Sequence, residues 1–213
     1  MKPPSDYVAA TTAYYDAHAA EFCENTVTVD VSELYAPFLH EIPAGGRILD
    51  AGCGSGRDSL AFLRLGYQVV SIDASAEMVA ATTKLTGKEA LLLKFDALDF
   101  DHEFDGIWAC GSLVHIARQD LHSILTRLSR ALKPSGVLYM SFKHGDSERM
   151  EGERFFNDLN EAMFGTILGA HPALKPIQIW VTEDLRNYRR GRQRCLNAIV
   201  RHQGSGTPRS SSS

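Results

Sequence analysis

Residues 47–56 of the chain are RILDAGCGSG, an apolar run followed by an acid and three alternating glycines. The run predicts a short buried strand, because strands covered on both faces are continuously hydrophobic. The glycines allow a tight turn in which a ligand can approach the backbone N–H groups. A helix is predicted directly after Gly56, and its N-terminus would face that ligand. The spacing differs from the G-x-G-x-x-G fingerprint of dinucleotide-binding proteins, so a pyrophosphate ligand is not indicated.

Apolar runs alternate with helical segments on both sides of this turn. The predicted strands are 47–51, 68–72, 90–95, 104–110, 137–142, 176–182 and 194–201. Segments long enough for crossover helices separate the first five strands, which predicts a doubly wound parallel α/β sheet with helices on both faces. The last two strands lack a comparable helix between them, so a hairpin with an antiparallel member is expected.

The remaining segments follow from composition and helix signals. We predict one helix over residues 6–22 with a break near Asn25, a second at 31–39, and a third at 157–168 after a polar stretch at 143–154. With 213 residues, the chain fits a single domain, which we place at 1–202. The final residues 203–213 have nothing apolar to bury and predict a disordered tail.

The bulk composition limits the classes of function. Hydrophobic residues make up 44% and charged residues 23% of the chain, as in an ordinary globular protein, and the formal net charge of −4 makes a nucleic acid partner unlikely. No apolar run approaches the roughly 20 residues that span a bilayer, and the first residues do not form a signal peptide. The widely spaced cysteines predict neither a metal site nor a disulfide framework. They are Cys23, Cys53, Cys110 and Cys195. A cytoplasmic protein with no membrane association is therefore expected.

Acidic residues follow the second and third predicted strands. Because ligands of open α/β sheets bind at the carboxyl ends of the strands, these acids are expected beside the glycine turn. The Asp73 carboxylate can accept hydrogen bonds from both hydroxyls of a ribose, and Asp96 can accept one from the exocyclic amino group of adenine. Met78, on the predicted helix after Asp73, is placed to pack on the adenine face. The set predicts an adenosine site.

Four segments resemble the motifs of class I S-adenosylmethionine-dependent methyltransferases. They are RILDAGCGSG at 47–56, VVSIDAS at 69–75, FDGIWAC at 104–110 and LKPSGVL at 132–138. The resemblance implies S-adenosyl-L-methionine as the cofactor and a Rossmann-like seven-stranded sheet with an antiparallel last strand. The expected cofactor-binding residues are Tyr14, Phe22, Asp50, Gly52, Gly54, Gly56, Arg57, Asp73, Ala74, Met78, Asp96, Ala97 and Cys110.

The segment YYDAHAAEF at 14–22 is similar to the N-terminal lid of tellurite-resistance-type and small-molecule methyltransferases. The resemblance implies a helical lid over about residues 6–40, with Tyr14, Tyr15 or Phe22 closing over the methionine end of the cofactor. Arg57 is expected to pair with the cofactor carboxylate. A cation in the first turn of a helix is unfavourable by the helix dipole, which favours a functional role for this arginine.

The methyl acceptor is expected beyond the fourth strand. His115 is the titratable side chain there and is our candidate for a general base or for a group that orients the acceptor. A base is needed only if the acceptor atom carries a proton, so acceptors with an O, N, S or metalloid atom remain open. The residues expected to bind the acceptor are Tyr15, His115, Lys143, Arg149 and Arg154.

Besides methyl transfer to a small-molecule acceptor, two other functions remain open from the sequence. The basic run from Arg186 to Arg194 would suit a tRNA or protein methyltransferase, although no Asn-Pro-Pro-Tyr type of motif follows the fourth strand. A non-catalytic S-adenosylmethionine-binding protein would keep the same glycine turn. Both a monomer and a homodimer are compatible with the sequence.

Overall fold

The computed structural model describes residues 4–184 and 193–204. Within them the chain forms seven α-helices and two short 3-10 turns, at Phe95–Ala97 and Leu113–His115. The helices are α1 Tyr7–Ala17, α2 Ala19–Thr26, α3 Ser32–Leu39, α4 Arg57–Arg64, α5 Ala76–Thr86, α6 Arg118–Ala131 and α7 Glu161–Gly169. The strands are β1 Arg47–Ala51, β2 Gln68–Asp73, β3 Leu91–Leu92, β4 Phe104–Ala109, β5 Leu132–Lys143, β6 Glu148–Glu151, β7 Arg154–Asn157, β8 Leu174–Glu183 and β9 Arg194–His202.

Seven of the strands form one sheet in the order β3-β2-β1-β4-β5-β9-β8, and β6 pairs with β7 in a separate hairpin. The strands β1 to β5 are parallel, whereas β9 runs antiparallel to both β5 and β8. The predicted fold, with its antiparallel last strand, is therefore confirmed. Because β9 is reversed, its first residues lie at the edge where the parallel strands end.

Apolar clusters cover both faces of the sheet. On one face, Phe38 of α3 and Phe62 of α4 pack on Trp108 and Tyr139 of the central strands. The Trp108 and Tyr139 rings are cross-strand partners and stack with their centroids 3.8 Å apart. On the other face, α6 and α7 pack on the same strands, and α6 contributes a stripe of leucine and isoleucine residues at helical spacing. The core thereby fixes the carboxyl edge of the sheet, where the strand ends meet.

The N-terminal helix prediction is wrong in its break point. The helix ends at Ala17, one residue before His18, and a new helix continues through Asn25 to Thr26. The His18 backbone leaves the helical region at φ −115°, and its ring stacks on the Tyr14 ring with centroids 4.2 Å apart. A side-chain contact, which composition does not reveal, therefore accompanies the break.

The segment between β5 and α7 also differs from the prediction. The polar stretch at 143–154 contains β6 and the start of the β6–β7 hairpin, so the following helix begins only at Glu161, capped by the Asn160 side chain. The predicted third strand at 90–95 is reduced to Leu91–Leu92, because the chain turns into a 3-10 helix at Phe95. The two hairpin strands are only four residues long, so they give a weak strand signal in the sequence.

Two predictions lie wholly or mainly outside the described residues: residues 205–213 of the predicted tail, and the basic run from 186 to 192. The single-domain boundary at 1–202 stays a prediction. Within the described part of the chain, no helix is both long enough and apolar enough to cross a membrane.

Candidate active site

A cavity of about 490 Å³ opens at the carboxyl edge of the parallel strands. This volume lies within the range of about 300–1,000 Å³ that is typical of small-molecule sites. Its walls come from the turn after β1, the end of β2, the segment after β4, helix α1, and the edge residues of β8 and β9. The sheet topology therefore places the glycine turn and the segment after β4 in one site.

The glycine turn approaches its neighbours too closely for any side chain at residue 52. Gly52 has φ +84°, and a Cβ there would lie 2.3 Å from the Cβ of Ser112. The Ser112 hydroxyl donates to the Ala51 carbonyl at 2.6 Å, which fixes this approach from the other side. The turn after β1 and the turn after β4 are thus locked together, and backbone lines the cavity between them.

Asp73 is the acid that joins the turn to the second strand. Its Oδ2 accepts from the Gly54 N–H at 3.0 Å, and its Oδ1 accepts from the Ser75 N–H at 2.9 Å. Burial raises the pKa of Asp73, and hydrogen bonds from Ser75, Gly54 and Ala74 oppose that shift. A carboxylate has about four acceptor positions, so capacity remains for a hydroxyl of a ligand in the cavity.

Arg57 lines the cavity beside the turn and is held by a buried carboxylate. Its Nε and one terminal nitrogen donate to Asp58 at 2.6 and 3.0 Å. Asp58 also accepts from the Tyr35 hydroxyl at 2.6 Å and from the Trp108 indole at 2.8 Å. Burial alone would raise the pKa of Asp58, but the charge and hydrogen bonds of Arg57 outweigh it and lower the pKa. The guanidinium is therefore fixed in orientation at the cavity wall.

His115 stands at the cavity between two hydrogen-bond partners. Its Nδ1 lies 2.6 Å from the Phe155 carbonyl, and its Nε2 lies 2.8 Å from the Tyr15 hydroxyl. A carbonyl can only accept, so Nδ1 carries the proton in the neutral ring and the Tyr15 hydroxyl donates to Nε2. The arrangement presents the basic nitrogen of the imidazole to the cavity side, where Tyr15 also lies.

Most of the residues predicted for the site line this cavity. They are Tyr15, Phe22, Gly52, Gly54, Arg57, Asp73, Ala74, Met78, Asp96, Cys110 and His115. Those that lie outside its lining are Tyr14, Asp50, Gly56, Ala97, Lys143, Arg149 and Arg154. Cofactor and acceptor roles for all of them stay predictions, but the geometry supports the first group more strongly.

Tyr14 and Asp50 have other partners. The Tyr14 ring packs on His18, with the Arg154 guanidinium over it at 4.6 Å from the ring centroid. Asp50 is buried behind the turn, where its carboxyl accepts from the Ser59 hydroxyl at 2.5 Å. Burial, together with the Asp58 charge, raises the pKa of Asp50 to about 8. The Asp50 carboxyl therefore links β1 to α4 by a hydrogen bond and does not line the cavity.

Of the three cations predicted to bind the acceptor, Lys143 and Arg149 form close ion pairs with carboxylates, and Arg154 lies 3.9 Å from Glu151. Lys143 is buried, forms an ion pair with Asp184 and donates to the Gln193 side chain at 2.9 Å. Arg149 pairs with Asp158 at 3.0 Å and with Glu151 at 2.7 Å. The Arg154 guanidinium lies over the rings of Tyr14 and Phe156. These contacts stabilise the hairpin and the end of β5, and they give no support to anion binding.

Sequence reasoning missed two groups of cavity residues. One is on α1, where Tyr7 and Thr11 precede Tyr15 at intervals of four residues. That spacing was visible and places the three side chains on one helix face. The other group lies on the two last strands and comprises Thr182, Glu183, Asp184, Cys195 and Asn197. The reversed direction of β9 could have revealed it, since that direction brings the start of β9 to the cavity edge.

Known proteins share this architecture. Residues 48–136 match the methyltransferase domain family. The ubiquinone biosynthesis O-methyltransferase of Rhodopseudomonas palustris (strain BisA53) is 34% identical over 103 residues, covering 46% of this chain and 40% of that protein. The putative methyltransferase YqeM of Bacillus subtilis is 34% identical over 113 residues, covering 48% of this chain and 46% of that protein. The chain spans less than half the length of these curated relatives.

A solved structure extends the likeness to nearly the whole chain. It is the Burkholderia thailandensis 1,6-didemethyltoxoflavin-N1-methyltransferase, with 1,6-didemethyltoxoflavin and S-adenosylhomocysteine bound. It matches with a TM-score of 0.76 over 95% of this chain and 92% of that chain, at 21% identity, which establishes the fold. With the glycine turn and the seven-stranded sheet, these matches show a methyltransferase domain at residues 48–136 within the fold of class I S-adenosylmethionine-dependent methyltransferases.

Proposed function

We propose that this chain transfers a methyl group from S-adenosyl-L-methionine to a small-molecule acceptor and releases S-adenosylhomocysteine. One observation carries the proposal: a single cavity is lined by the Gly52–Gly54 turn, by the Asp73 carboxylate and by His115. The first two suit a nucleoside with an amino acid tail, and the third suits an acceptor. A cytoplasmic location, as either a monomer or a homodimer, completes the proposal.

The residues present fit the cofactor. Asp73 keeps acceptor capacity for a ribose hydroxyl, and the apolar side chain of Met78 lines the same part of the cavity. Asp96, in the 3-10 turn after β3, lies at the cavity wall where it can accept from an adenine amino group. Arg57, fixed by Asp58, can receive the carboxylate of the methionine tail. When bound, the cofactor supplies a methyl group activated by its sulfonium.

His115 gives the site a means to remove a proton from the acceptor. Its Nδ1 is occupied by the Phe155 carbonyl, so Nε2 is the nitrogen that can accept. Tyr15 adjoins that nitrogen and lines the cavity, so an acceptor hydroxyl or amine that takes its place, or bonds to it, can pass its proton to His115. Methyl transfer also requires the acceptor atom to be held close and in line, which an enclosed cavity favours.

Three observations favour a small molecule over RNA or protein. Helix α1 forms part of the cavity wall, so the acceptor enters a cavity rather than lying on a flat surface. The polar residues at the β5, β8 and β9 end include the uncharged Ser141, Thr182 and Asn197. The similar proteins named above, an O-methyltransferase of ubiquinone biosynthesis and a toxoflavin-type N1-methyltransferase, carry small-molecule names.

Isothermal titration with S-adenosylhomocysteine tests the cofactor. We expect binding by the unchanged protein and a loss of affinity of about tenfold or more in Asp73→Asn, since hydrogen bonds to a buried carboxylate contribute about 1.5–3 kcal/mol. The control is Asp99→Asn, an exposed acid paired with Arg130 on the surface, which should bind normally. Equal affinity of both variants would place the ribose elsewhere.

Radiolabelled methyl transfer tests the acceptor class. The protein is incubated with methyl-labelled S-adenosylmethionine and a cell extract that has been separated into small molecules, RNA and protein. We expect label in the small-molecule fraction, with His115→Asn reducing the rate at least tenfold for an acceptor that loses a proton. Label in RNA or protein would replace the small-molecule proposal. Binding without label in any fraction would favour a non-catalytic binding protein.

A further inference from the structure

Helix α1 carries a stripe of hydroxyl side chains on the face that lines the cavity. Tyr7, Thr11 and Tyr15 are spaced four residues apart, and all three belong to the cavity wall. Apolar residues usually occupy the inward face of a helix at this spacing. A polar stripe in that position indicates that α1 is held by directed hydrogen bonds.

Each hydroxyl of the stripe has a partner on the body of the protein. The Tyr7 hydroxyl donates to Asp120 at 2.8 Å and accepts from the Ala117 N–H at 3.2 Å. The Thr11 hydroxyl accepts from the Phe155 N–H at 3.0 Å. The Tyr15 hydroxyl contacts Nε2 of His115. Burial raises the pKa of Tyr7 to about 12, so its hydroxyl stays protonated and keeps donating at neutral pH.

Phe155 links two of these contacts through its own backbone. Its N–H is bound by Thr11, and its carbonyl accepts from Nδ1 of His115 at 2.6 Å. Tyr15 then closes a ring of contacts, because it lies one helical turn after Thr11 and reaches the other nitrogen of His115. The imidazole is thus held at both nitrogens by groups whose positions depend on α1.

The contact between Thr11 and Phe155 is buried, so its loss would be costly. Thr11 is 6% exposed and Phe155 is 1% exposed. A buried N–H that loses its acceptor is costly, so the backbone at Phe155 would move to find another partner. The carbonyl of the same residue would move with it and release Nδ1 of His115.

We propose that Thr11 is a positioning residue for His115, acting through the backbone of Phe155, so that docking of α1 sets the tautomer of the imidazole. The inference rests on the proposed function, because it assigns His115 as the base. Its test needs neither a methyl donor nor an acceptor, so the two proposals can fail separately.

The test compares Thr11→Val, Thr11→Ser and Thr12→Val by NMR of protein labelled with ¹⁵N in the histidine rings. Valine keeps the shape of threonine but removes the acceptor, and serine restores it. Thr12 is the matched control, since its hydroxyl donates within α1, to the Val8 carbonyl at 2.9 Å. The His115 signals are assigned from their absence in His115→Asn.

We expect Nδ1-protonated His115 in the unchanged protein, in Thr11→Ser and in Thr12→Val, and a mixture of tautomers in Thr11→Val. Unchanged His115 signals in a folded Thr11→Val protein would overturn the proposal. If Thr11→Val does not fold, hydrogen exchange of the unchanged protein tests the proposal instead. In that experiment, the Phe155 amide should exchange at the same rate as the amides of α1. The proposal would be overturned if the Phe155 amide exchanged with the amides of the β6–β7 hairpin instead.

Discussion

The glycine turn and helix α1 both line the same cavity but are held in place differently. Because α1 forms one wall of the cavity, we call it the α1 cover. The turn is closed by contacts across 19 to 61 residues, from the Gly54 N–H to Asp73 and from the Ala51 carbonyl to Ser112. The cover is closed by contacts across 100 to 144 residues, from Tyr15 to His115 and from Thr11 to Phe155. The turn therefore depends on partners closer along the chain than those of the α1 cover.

The two regions also differ in how much apolar packing supports them. The turn rests on the large cluster that includes Leu49, Ala51 and Ile72. The cover rests on a separate small cluster of Tyr7, Ala117 and Phe155, supplemented by the hydroxyl stripe. Because local opening free energy follows the apolar contacts that must be broken, α1 should open more readily than the turn.

The largest effect is expected from a side chain added to the turn. Gly52→Ala combines a left-handed backbone with a Cβ placed 2.3 Å from Ser112, and we expect it to destabilise the protein by about 2–4 kcal/mol and to abolish S-adenosylhomocysteine binding. Gly87→Ala is the matched control, since residue 87 also has positive φ but a Cβ there meets nothing within 4 Å.

Urea denaturation and titration calorimetry measure both variants of this pair. Gly87→Ala should lose about 1–2 kcal/mol from backbone strain alone and bind S-adenosylhomocysteine normally. Equal losses in the two proteins would mean that the close approach of residue 52 to Ser112 contributes nothing beyond strain.

A smaller, pH-dependent effect is expected at the Asp58 carboxylate beside the turn. Its pKa is lowered in the folded state, so it contributes stability above its unfolded pKa of about 3.9, and that contribution is lost as the pH falls through the folded value. Tyr35→Phe removes one of the donors and should lower the free energy of unfolding by about 2 kcal/mol at pH 7. The difference from the unchanged protein should shrink as the pH falls below about 4.

The control for this measurement is Tyr67→Phe, a half-buried tyrosine packed on the same apolar cluster as Tyr35. In urea denaturation at several pH values from 7 to 3, its free energy of unfolding should differ from that of the unchanged protein by the same amount at every pH. A Tyr35→Phe difference that stays constant across this range would show that Asp58 is not the group responsible.

The smallest effect is expected from Arg149, which the sequence predicts as an acceptor ligand. Arg149 and Glu151 are partly exposed, whereas Asp158 is buried, so Arg149→Ala should cost about 1 kcal/mol and leave S-adenosylhomocysteine affinity within about twofold. Once an acceptor is known, a selective rise in its KM in this variant would restore the sequence prediction and contradict the geometry.

The features predicted correctly from the sequence are those set within a few residues. The strand and turn at 47–56 and the reversed last strand both follow from local patterns. Cavity residues such as Asp73 and His115 follow because the topology fixes where strands end. In these cases, local propensity and global fold agree.

The features that the sequence predicted wrongly, or whose predicted role the geometry does not support, depend on partners that are distant in sequence. The β6–β7 hairpin is fixed by Arg118, whose guanidinium donates to Asn157 at 2.9 Å across 39 residues. In the sequence, the cations Lys143 and Arg149 are candidate ligands for an anion. In the folded chain, each of them has a carboxylate partner nearby. A pattern of charges does not say which charges neutralise one another.

The reversed β9 has a consequence for how this protein can change over evolution. The chain leaves the sheet at Asp184 and re-enters it at Gln193, where the Asp184 N–H donates to the Gln193 carbonyl at 2.6 Å. Both ends are pinned at the cavity rim by Lys143, and a doubling of loop length costs only about 0.6 kcal/mol in closure entropy. Selection can therefore change the number of residues between Asp184 and Gln193 at little cost in closure entropy, while Lys143 keeps both of these residues at the end of β5.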